Sequence, residues 1–275
     1  MDGRLVFSDE NSFESVIKYL YEHQDDPYKL DEISGFTSYL KAFDELADND
    51  FKQYESYPNL VRFVDGNDIG ETLEPVVEFE LLKSVLNADG IVQIGNVIKK
   101  YSNKFVYSTK NVNSIPLLIS NRYSSITDVK VTPIQRIETR ADMGVDNRAG
   151  FFGFCSTLFS WSDKRKTEGQ AVSIFEPGGF SEIFLLVRAK RKRFGRWWPR
   201  FQRNLAIRGE GNYSQLDDLF GNGSVHYSFN ISGQSGYRLK KTIQWSFGIP
   251  SPFIFDNNNT YHDCFGDGGC FVIIN

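Results

Sequence analysis

The chain has 275 residues, a formal net charge of −4 and 40% hydrophobic residues, and it contains 24 Phe and 13 Tyr. This composition excludes a wholly disordered chain and a generally basic nucleic-acid coat, so nucleic acid is not an expected partner. No stretch approaches the roughly 18 uninterrupted apolar residues that a membrane helix needs, so no transmembrane segment is predicted.

Residues 1–90 are predicted to form a helical N-terminal region. Ser8 or Asp9 can cap a first helix, a second is predicted from about Ser38, and a third from Glu74-Pro75, because proline suits the first helical turn. The apolar residues that supply the faces of the first and third helices at helical spacing are Phe13, Val16, Ile17, Leu20, Val77, Leu81, Leu82 and Val85.

The hydrophobic period changes to about two after Gly90. Residues 91–147 are predicted to form a hairpin around Gly95-Asn96 and an irregular connector with weak strands near 115–119 and 129–131. Residues 148–275 are predicted to form an antiparallel β domain, because polar and apolar residues alternate there between glycine and proline turns. The predicted fold class is therefore α+β, with a sandwich-like β domain.

One segment, AKRKRFGRWWPRFQR at 189–203, combines basic side chains and aromatic rings in a chain that is otherwise acidic. It is predicted to be a hairpin that turns at Phe194-Gly195-Arg196, with Pro199 making the second strand irregular or placing it at an edge. Arginines beside tryptophans bind anions, sugars or bases through charge and ring contacts, whereas charges along an edge strand also protect it from aggregation. The residues predicted to contact a ligand or partner are Arg191, Arg193, Arg196, Trp197, Trp198 and Arg200.

The three cysteines leave alternatives open. Cys264 and Cys270 lie six residues apart around a glycine-rich turn, and in an oxidising compartment they are predicted to form a disulfide that leaves Cys155 as a buried thiol. In a reducing compartment they remain free thiols. A metal site from His262, Cys264 and Cys270 lacks the usual spacing and a fourth ligand, so no metal or cofactor is predicted.

No catalytic signature is found. His226 alternates with apolar neighbours and is predicted to be solvated, and no motif places a base beside Cys155. The segment DNNNTYHD at 256–263 lacks the glycine and the glutamate of a calcium loop and is predicted to be a polar surface turn. No catalytic residue is therefore assigned.

Four segments carry a resemblance to a known family. GRLVFSDENSFESVIKYL, GFTSYLKAFDEL and LLKSVLNADGIVQIGNVIKKY resemble the N-terminal half of uncharacterised envelope proteins of Bacteroidota. EPGGFSEIFLLVRAKRKRFGRWW resembles their C-terminal β region, where a basic hairpin carries a Gly-x-Trp element. The resemblance implies an exported protein, periplasmic or at the cell surface and made with an export or lipoprotein signal. A cytoplasmic location is expected instead if Met1 is the native start. No activity is implied.

These observations predict a non-enzymatic cell-envelope protein that binds a glycan, an anionic lipid headgroup or an envelope protein through its β domain. The alternatives are a hydrolase that acts on envelope polymers and a structural subunit of a surface complex. Two carboxylates in unlike environments in one pocket would favour the hydrolase. Large exposed apolar patches would favour the subunit.

Overall fold

A computed structural model describes residues 3–65, 71–136, 154–160, 165–215, 223–248, 252–264 and 268–274. The chain divides into two compact units: Met1–Arg62 with Pro75–Gln135, and Phe63–Glu74 with Arg136–Asn275. Helices lie near the N-terminus and antiparallel sheets dominate the rest, so the predicted α+β class is confirmed.

The α-helices of the described residues are α1 Glu10–Glu22, α2 Lys29–Ser34, α3 Tyr39–Asp48 and α4 Ile115–Ile119. The strands are β1 Val6–Phe7, β2 Val61–Asp65, β3 Glu71–Pro75, β4 Ile91–Ile94, β5 Val97–Tyr101, β6 Phe105–Thr109, β7 Lys130–Pro133, β8 Gln135–Arg136, β9 Phe154–Ser160, β10 Arg165–Phe175, β11 Phe180–Arg193, β12 Arg196–Pro199, β13 Gln202–Gln215, β14 Val225–Gly236, β15 Arg238–Phe247, β16 Phe253–Cys264 and β17 Gly268–Ile274.

The first and second predicted helices are present with their caps. The carboxylate of Asp9 accepts a hydrogen bond from the Ser12 amide at 2.7 Å, and the Ser12 hydroxyl accepts one from the Asp9 amide at 3.2 Å, which makes a reciprocal capping box. Ser38 caps α3 by accepting from the Lys41 amide at 3.1 Å. Apolar residues recur on one side of each of these two helices, and most of them are buried there.

The third predicted helix, from Glu74-Pro75, is wrong. Those two residues end β3, and the chain then runs irregularly to a single 3-10 turn at Leu82–Ser84. The amides of Val76 and Val77 donate to the Tyr39 hydroxyl at 2.8 and 3.2 Å, so they have distant partners in place of helical ones. The apolar residues at helical spacing are buried, but so are their polar neighbours, and no exposed face remains for a helix.

A five-stranded sheet in the first unit has the order β1-β4-β5-β6-β7. β4 and β5 form the predicted hairpin: Ile94 lies opposite Val97, and Gly95 takes the left-handed conformation that a two-residue turn needs, with φ of +58°. The weak strand predicted near 115–119 is instead the short helix α4, in which Pro116 occupies the first turn.

The second unit contains a β-sandwich. An eight-stranded sheet has the order β2-β3-β12-β11-β10-β8, with β15 also paired to β11 and β9 to β10, and a four-stranded sheet has the order β14-β13-β16-β17. Alternate residues of β11 point into the core between the two sheets. The buried residues of that core are Ala171, Ile183, Leu185, Val187, Ala189, Leu205, Ile207, Tyr227, Ile243, Phe253, Phe255, Cys264, Val272 and Ile274.

Candidate binding surfaces of the β-sandwich

The basic segment forms the predicted hairpin, made by the end of β11 and by β12. Arg193 lies opposite Arg196, and the two residues between them, Phe194 and Gly195, have φ values of +49° and +80°. Two consecutive left-handed residues are the signature of a type I′ turn, which matches the twist of the flanking strands. In the sheet order β12 lies between β3 and β11, so it is not the edge strand that was one of the two expectations, and Pro199 is its last residue, opposite Lys190.

The six predicted contact residues do not share one surface. Opposite residues of an antiparallel pair point to the same face, and so do alternate residues of one strand, so Arg191, Arg193, Arg196 and Trp198 lie on one face. Trp197 lies opposite Lys192 on the other face and is buried. Arg200 follows β12, and its amide donates to the Ala189 carbonyl at 2.9 Å. The alternating pleat therefore separates residues that are adjacent in sequence.

Arg196 is held by partners within the same unit. Its Nε lies 2.6 Å from a carboxylate oxygen of Glu71, and its guanidinium lies 4.3 Å from the centre of the Phe63 ring. Trp198 packs edge-to-face on the same Phe63 ring, with 5.4 Å between ring centres. Part of the predicted contact surface thus fixes the hairpin to neighbouring strands.

On the other face the hairpin continues into a buried charge network. Lys190, with 1% of its surface exposed, lies 2.6 Å from a carboxylate oxygen of Glu168 and 2.9 Å from one of Glu74. Arg188 contacts Glu74 at 2.7 Å, and Lys166 contacts Glu168 at 2.7 Å. Each buried charge therefore has a partner of opposite sign, as burial at this depth requires.

The pKa values in the network follow from two opposed effects. Burial would raise the pKa of Glu74 and of Glu168, but the neighbouring cations outweigh it and hold both pKa values below their ordinary range. Burial also lowers the pKa of Lys190, against the two carboxylates. Lys190 belongs to the basic segment and Arg188 directly precedes it, yet the charges of both are paired with internal carboxylates.

A second surface, which the sequence did not reveal, lies on the outer face of the four-stranded sheet. There the register aligns Asn230, Arg208, Tyr261 and Phe271 in one row across β14, β13, β16 and β17. The next row contains Ser228, Glu210, Asn259 and Ile273. A shallow groove of 440 Å³ runs over both rows.

The groove combines two neighbouring aromatic rings with hydrogen-bonding groups. The rings of Tyr261 and Phe271 lie 4.9 Å apart with 47° between their planes, and Phe271 leaves 61% of its surface exposed. Arg208 is exposed, and its guanidinium makes no hydrogen bond or ion pair with any of the residues that the structure describes. Glu210 is exposed as well, with His226 4.0 Å away. Apolar faces beside convergent polar groups are typical of small-ligand sites.

Gly209 lets the strands approach beneath this groove. Its φ is +138°, and a Cβ there would lie 2.2 Å from the Asn259 carbonyl oxygen, so no other residue fits without a shift. Below the groove, the buried side chain of Asn258 accepts from the Tyr227 hydroxyl at 2.5 Å and donates to Thr260 Oγ1 at 2.9 Å and to the Val272 carbonyl at 2.6 Å. The side-chain amide of Asn258 is therefore satisfied on the inner face of β16.

The segment at 256–263 was predicted to be a surface turn, and that prediction is wrong. It is the central part of β16, with Asn257, Asn259 and Tyr261 more accessible than the buried Asn258 and Thr260. Asparagine is uncommon in β-strands, and the three asparagines in this segment therefore did not indicate a strand. The alternation of buried residues also changes phase within the strand, from Phe255 to Asn258, at an irregularity in the pairing with β13, and this further obscured the period of two.

The predicted disulfide between Cys264 and Cys270 is corrected by the structure. Cys155 of β9 is joined to Cys270 of β17, and Cys264 is buried and takes no part in a disulfide. The reason lies in the register: Cys264 lies opposite Gly268, and Cys270 lies opposite His262, so the two cysteines are not direct neighbours across the pair. The bond that forms links the two sheets of the sandwich.

The histidines have distinct environments. His226 is exposed on the outer face, as predicted. His262 is fully buried, with its Nε2 2.9 Å from Thr260 Oγ1, and burial lowers its pKa to about 4. The alternative metal site fails because Cys270 is in a disulfide. No group of three metal-ligating side chains occurs among the described residues.

Comparison with protein-family models finds no match, and comparison with curated proteins finds none. A solved structure that is similar is the crystal structure of a DUF4848 family protein from Bacteroides thetaiotaomicron, a member of the Bacteroidota. It is 13% identical, the similarity covers 99% of this chain and 97% of that one, and the TM-score is 0.29. At this identity and TM-score the likeness assigns no function. Within the described residues, no helix is both long and apolar enough to cross a bilayer.

Proposed function

We propose that this chain is a non-enzymatic binding protein of the cell envelope, and that it holds a glycan in the groove on the outer face of its four-stranded sheet. The observation that carries the proposal is the row of Asn230, Arg208, Tyr261 and Phe271, which places an exposed phenylalanine ring and a half-buried tyrosine ring beside an exposed guanidinium and an amide.

The chemistry of the groove suits a sugar in particular. One face of a pyranose ring is made of C–H groups and stacks on an aromatic ring, while its hydroxyls both donate and accept hydrogen bonds. Asn230 and Asn259 can do both, Glu210 accepts, and Arg208 donates. The groove is open and shallow, and it therefore suits a chain that lies across the strands more than a small molecule that must be enclosed.

Export to the cell envelope has its own support. The Cys155–Cys270 disulfide closes a sequence separation of 115 residues, and disulfides of this structural kind persist in oxidising compartments. An exported location also agrees with what the sequence resemblance implies. A glycan ligand is abundant there.

Binding is proposed in preference to hydrolysis because of the carboxylate count at the groove. Glycoside hydrolysis uses two carboxyl groups about 5–9 Å apart. Among the described residues that line the groove, Glu210 supplies the carboxylate side chain and no second one lies beside it.

The test is a glycan array followed by titration calorimetry with the bound sugars. Tyr261→Ala and Phe271→Ala should each weaken binding by about 2- to 12-fold, since an aromatic contact contributes roughly 0.5–1.5 kcal/mol. Phe201→Ala is the matched control: Phe201 is also exposed and also contacts a tyrosine ring, Tyr237 at 5.7 Å, but lies outside the groove. Equal affinity in the groove variants, or equal loss in the control, would contradict the proposal.

A further inference from the structure

The tip of the β11–β12 hairpin has an unusual residue for its position. Phe194 leaves 97% of its surface exposed, and it adopts φ of +49°, the left-handed conformation that favours glycine, asparagine or aspartate. A large apolar ring at this place is unfavourable both for the backbone and for hydration. Since asparagine followed by Gly195 would make the preferred type I′ pair, the ring is not explained by the stability of the turn.

Cations flank this ring on both faces of the hairpin. Lys192 lies on one face, opposite Trp197, and Arg193 and Arg196 lie on the other face as a direct pair. Arg193 is exposed, and Arg196 leaves 42% of its side chain exposed although it pairs with Glu71. No acidic residue occurs in the sequence from 188 to 203. The tip is therefore an apolar point with positive charge on both sides.

We propose that this tip docks the protein onto an anionic lipid surface, with the Phe194 ring entering the interface and Lys192, Arg193 and Arg196 lying at the headgroup phosphates. A lipid surface fits the arrangement because it meets an inserted tip from every side, and here the cations lie on both faces. The two-residue turn also makes the tip narrow enough to enter between headgroups. The contact is separate from the groove and does not depend on glycan binding.

The expected affinity is modest. Each cation near an anionic membrane multiplies partitioning by about 5-fold, and burial of the phenylalanine ring multiplies it by about 10-fold or more. Together they give a reversible peripheral attachment that weakens as salt is added, since the cationic part is screened over about 10 Å at 0.1 M ionic strength.

The experiment is co-sedimentation with two kinds of vesicle, one of phosphatidylcholine alone and one that also contains about 30% phosphatidylglycerol. The second kind has a negative surface potential. The wild-type chain should bind the anionic vesicles and be released by salt. Phe194→Asn should reduce partitioning about 10-fold or more while raising the melting temperature, because asparagine suits the turn. A structural role for the ring would instead lower the melting temperature.

A second variant separates charge from the ring. Lys192→Gln combined with Arg193→Gln should reduce binding to the anionic vesicles by about 25-fold and remove most of its salt dependence. Absence of wild-type binding to anionic vesicles would overturn the proposal, and so would wild-type binding by Phe194→Asn. Tyr261→Ala, which tests the groove, should bind vesicles as the wild type does, so that failure of one proposal is distinguishable from failure of the other.

Discussion

Removal of the Cys155–Cys270 disulfide is expected to destabilise the chain strongly. The bond closes a sequence separation of 115 residues. In the loop-entropy model a loop of that length removes about 16 cal/mol/K from the unfolded ensemble, which corresponds to about 5 kcal/mol at 25 °C. Urea unfolding with and without a reductant should therefore show a difference of about this size in the free energy of unfolding, and Cys155→Ser should abolish the difference.

Cys264→Ala is the matched control, because Cys264 takes no part in the disulfide and is buried in the same sandwich core. It should keep the full response to the reductant. A tryptic map gives an independent answer: Cys155 falls in the peptide 149–164, whereas Cys264 and Cys270 share the peptide 242–275. A cross-linked pair of these peptides is expected. An internal bond within 242–275, together with a reductant response that Cys264→Ala abolishes, would refute the reasoning.

Two further predictions concern buried charge. The pKa of His262 is about 4 in the folded chain and about 6.5 in the unfolded chain, so the unfolded chain binds the proton first as the pH falls. The free energy of unfolding should therefore fall by about 1.4 kcal/mol per pH unit from pH 6.5 down to 4. Urea unfolding of His262→Gln should lack this pH-dependent loss, and identical pH profiles for the variant and the wild type would contradict the prediction. Glu168→Gln should lower the free energy of unfolding by roughly 3–5 kcal/mol, because it removes a carboxylate that pairs with the buried Lys166 and Lys190. Glu71→Gln breaks a half-exposed pair and should lower the free energy of unfolding, measured by thermal unfolding, by less than about 1 kcal/mol. Comparable losses in the two variants would show that burial of the network does not matter.

Local patterns predicted the parts of the fold that local physics determines. The capping residues Asp9 and Ser38, the turn at Gly95 and the turn at Gly195 act through neighbours a few positions away, and all four are present. The helix predicted from Pro75 failed because the backbone there takes hydrogen-bond partners from distant segments. Hydrophobic spacing reports burial, and it does not distinguish a buried helix from a buried irregular segment.

The candidate groove depends on the register of four strands, and no single segment contains that information. Arg208 and Tyr261 become neighbours through the β13–β16 pairing, and Phe271 joins them through β17. The disulfide could not be predicted for the same reason. Proximity in sequence favoured Cys264 as the partner of Cys270, whereas the packing of the two sheets brings Cys155 to it. The predicted hairpin is present, but its pleat divides Trp197 from Trp198, which sequence order alone places together.

The buried side chain of Asn258 has a consequence for how β16 pairs with its neighbours. Three consecutive asparagines make this stretch ambiguous, because a slip by one residue would bring the same amide group to the same place. Such a slip, however, would turn Tyr261 into the core and move Thr260 and His262 to solvent, since side chains alternate with a period of two. The hydrogen bonds of Asn258 to Tyr227, Thr260 and Val272 are complete in one register. The buried hydrogen bonds of Asn258 thus favour the observed register of β16, and they disfavour slipped registers in which the side chains of the outer row would no longer be aligned.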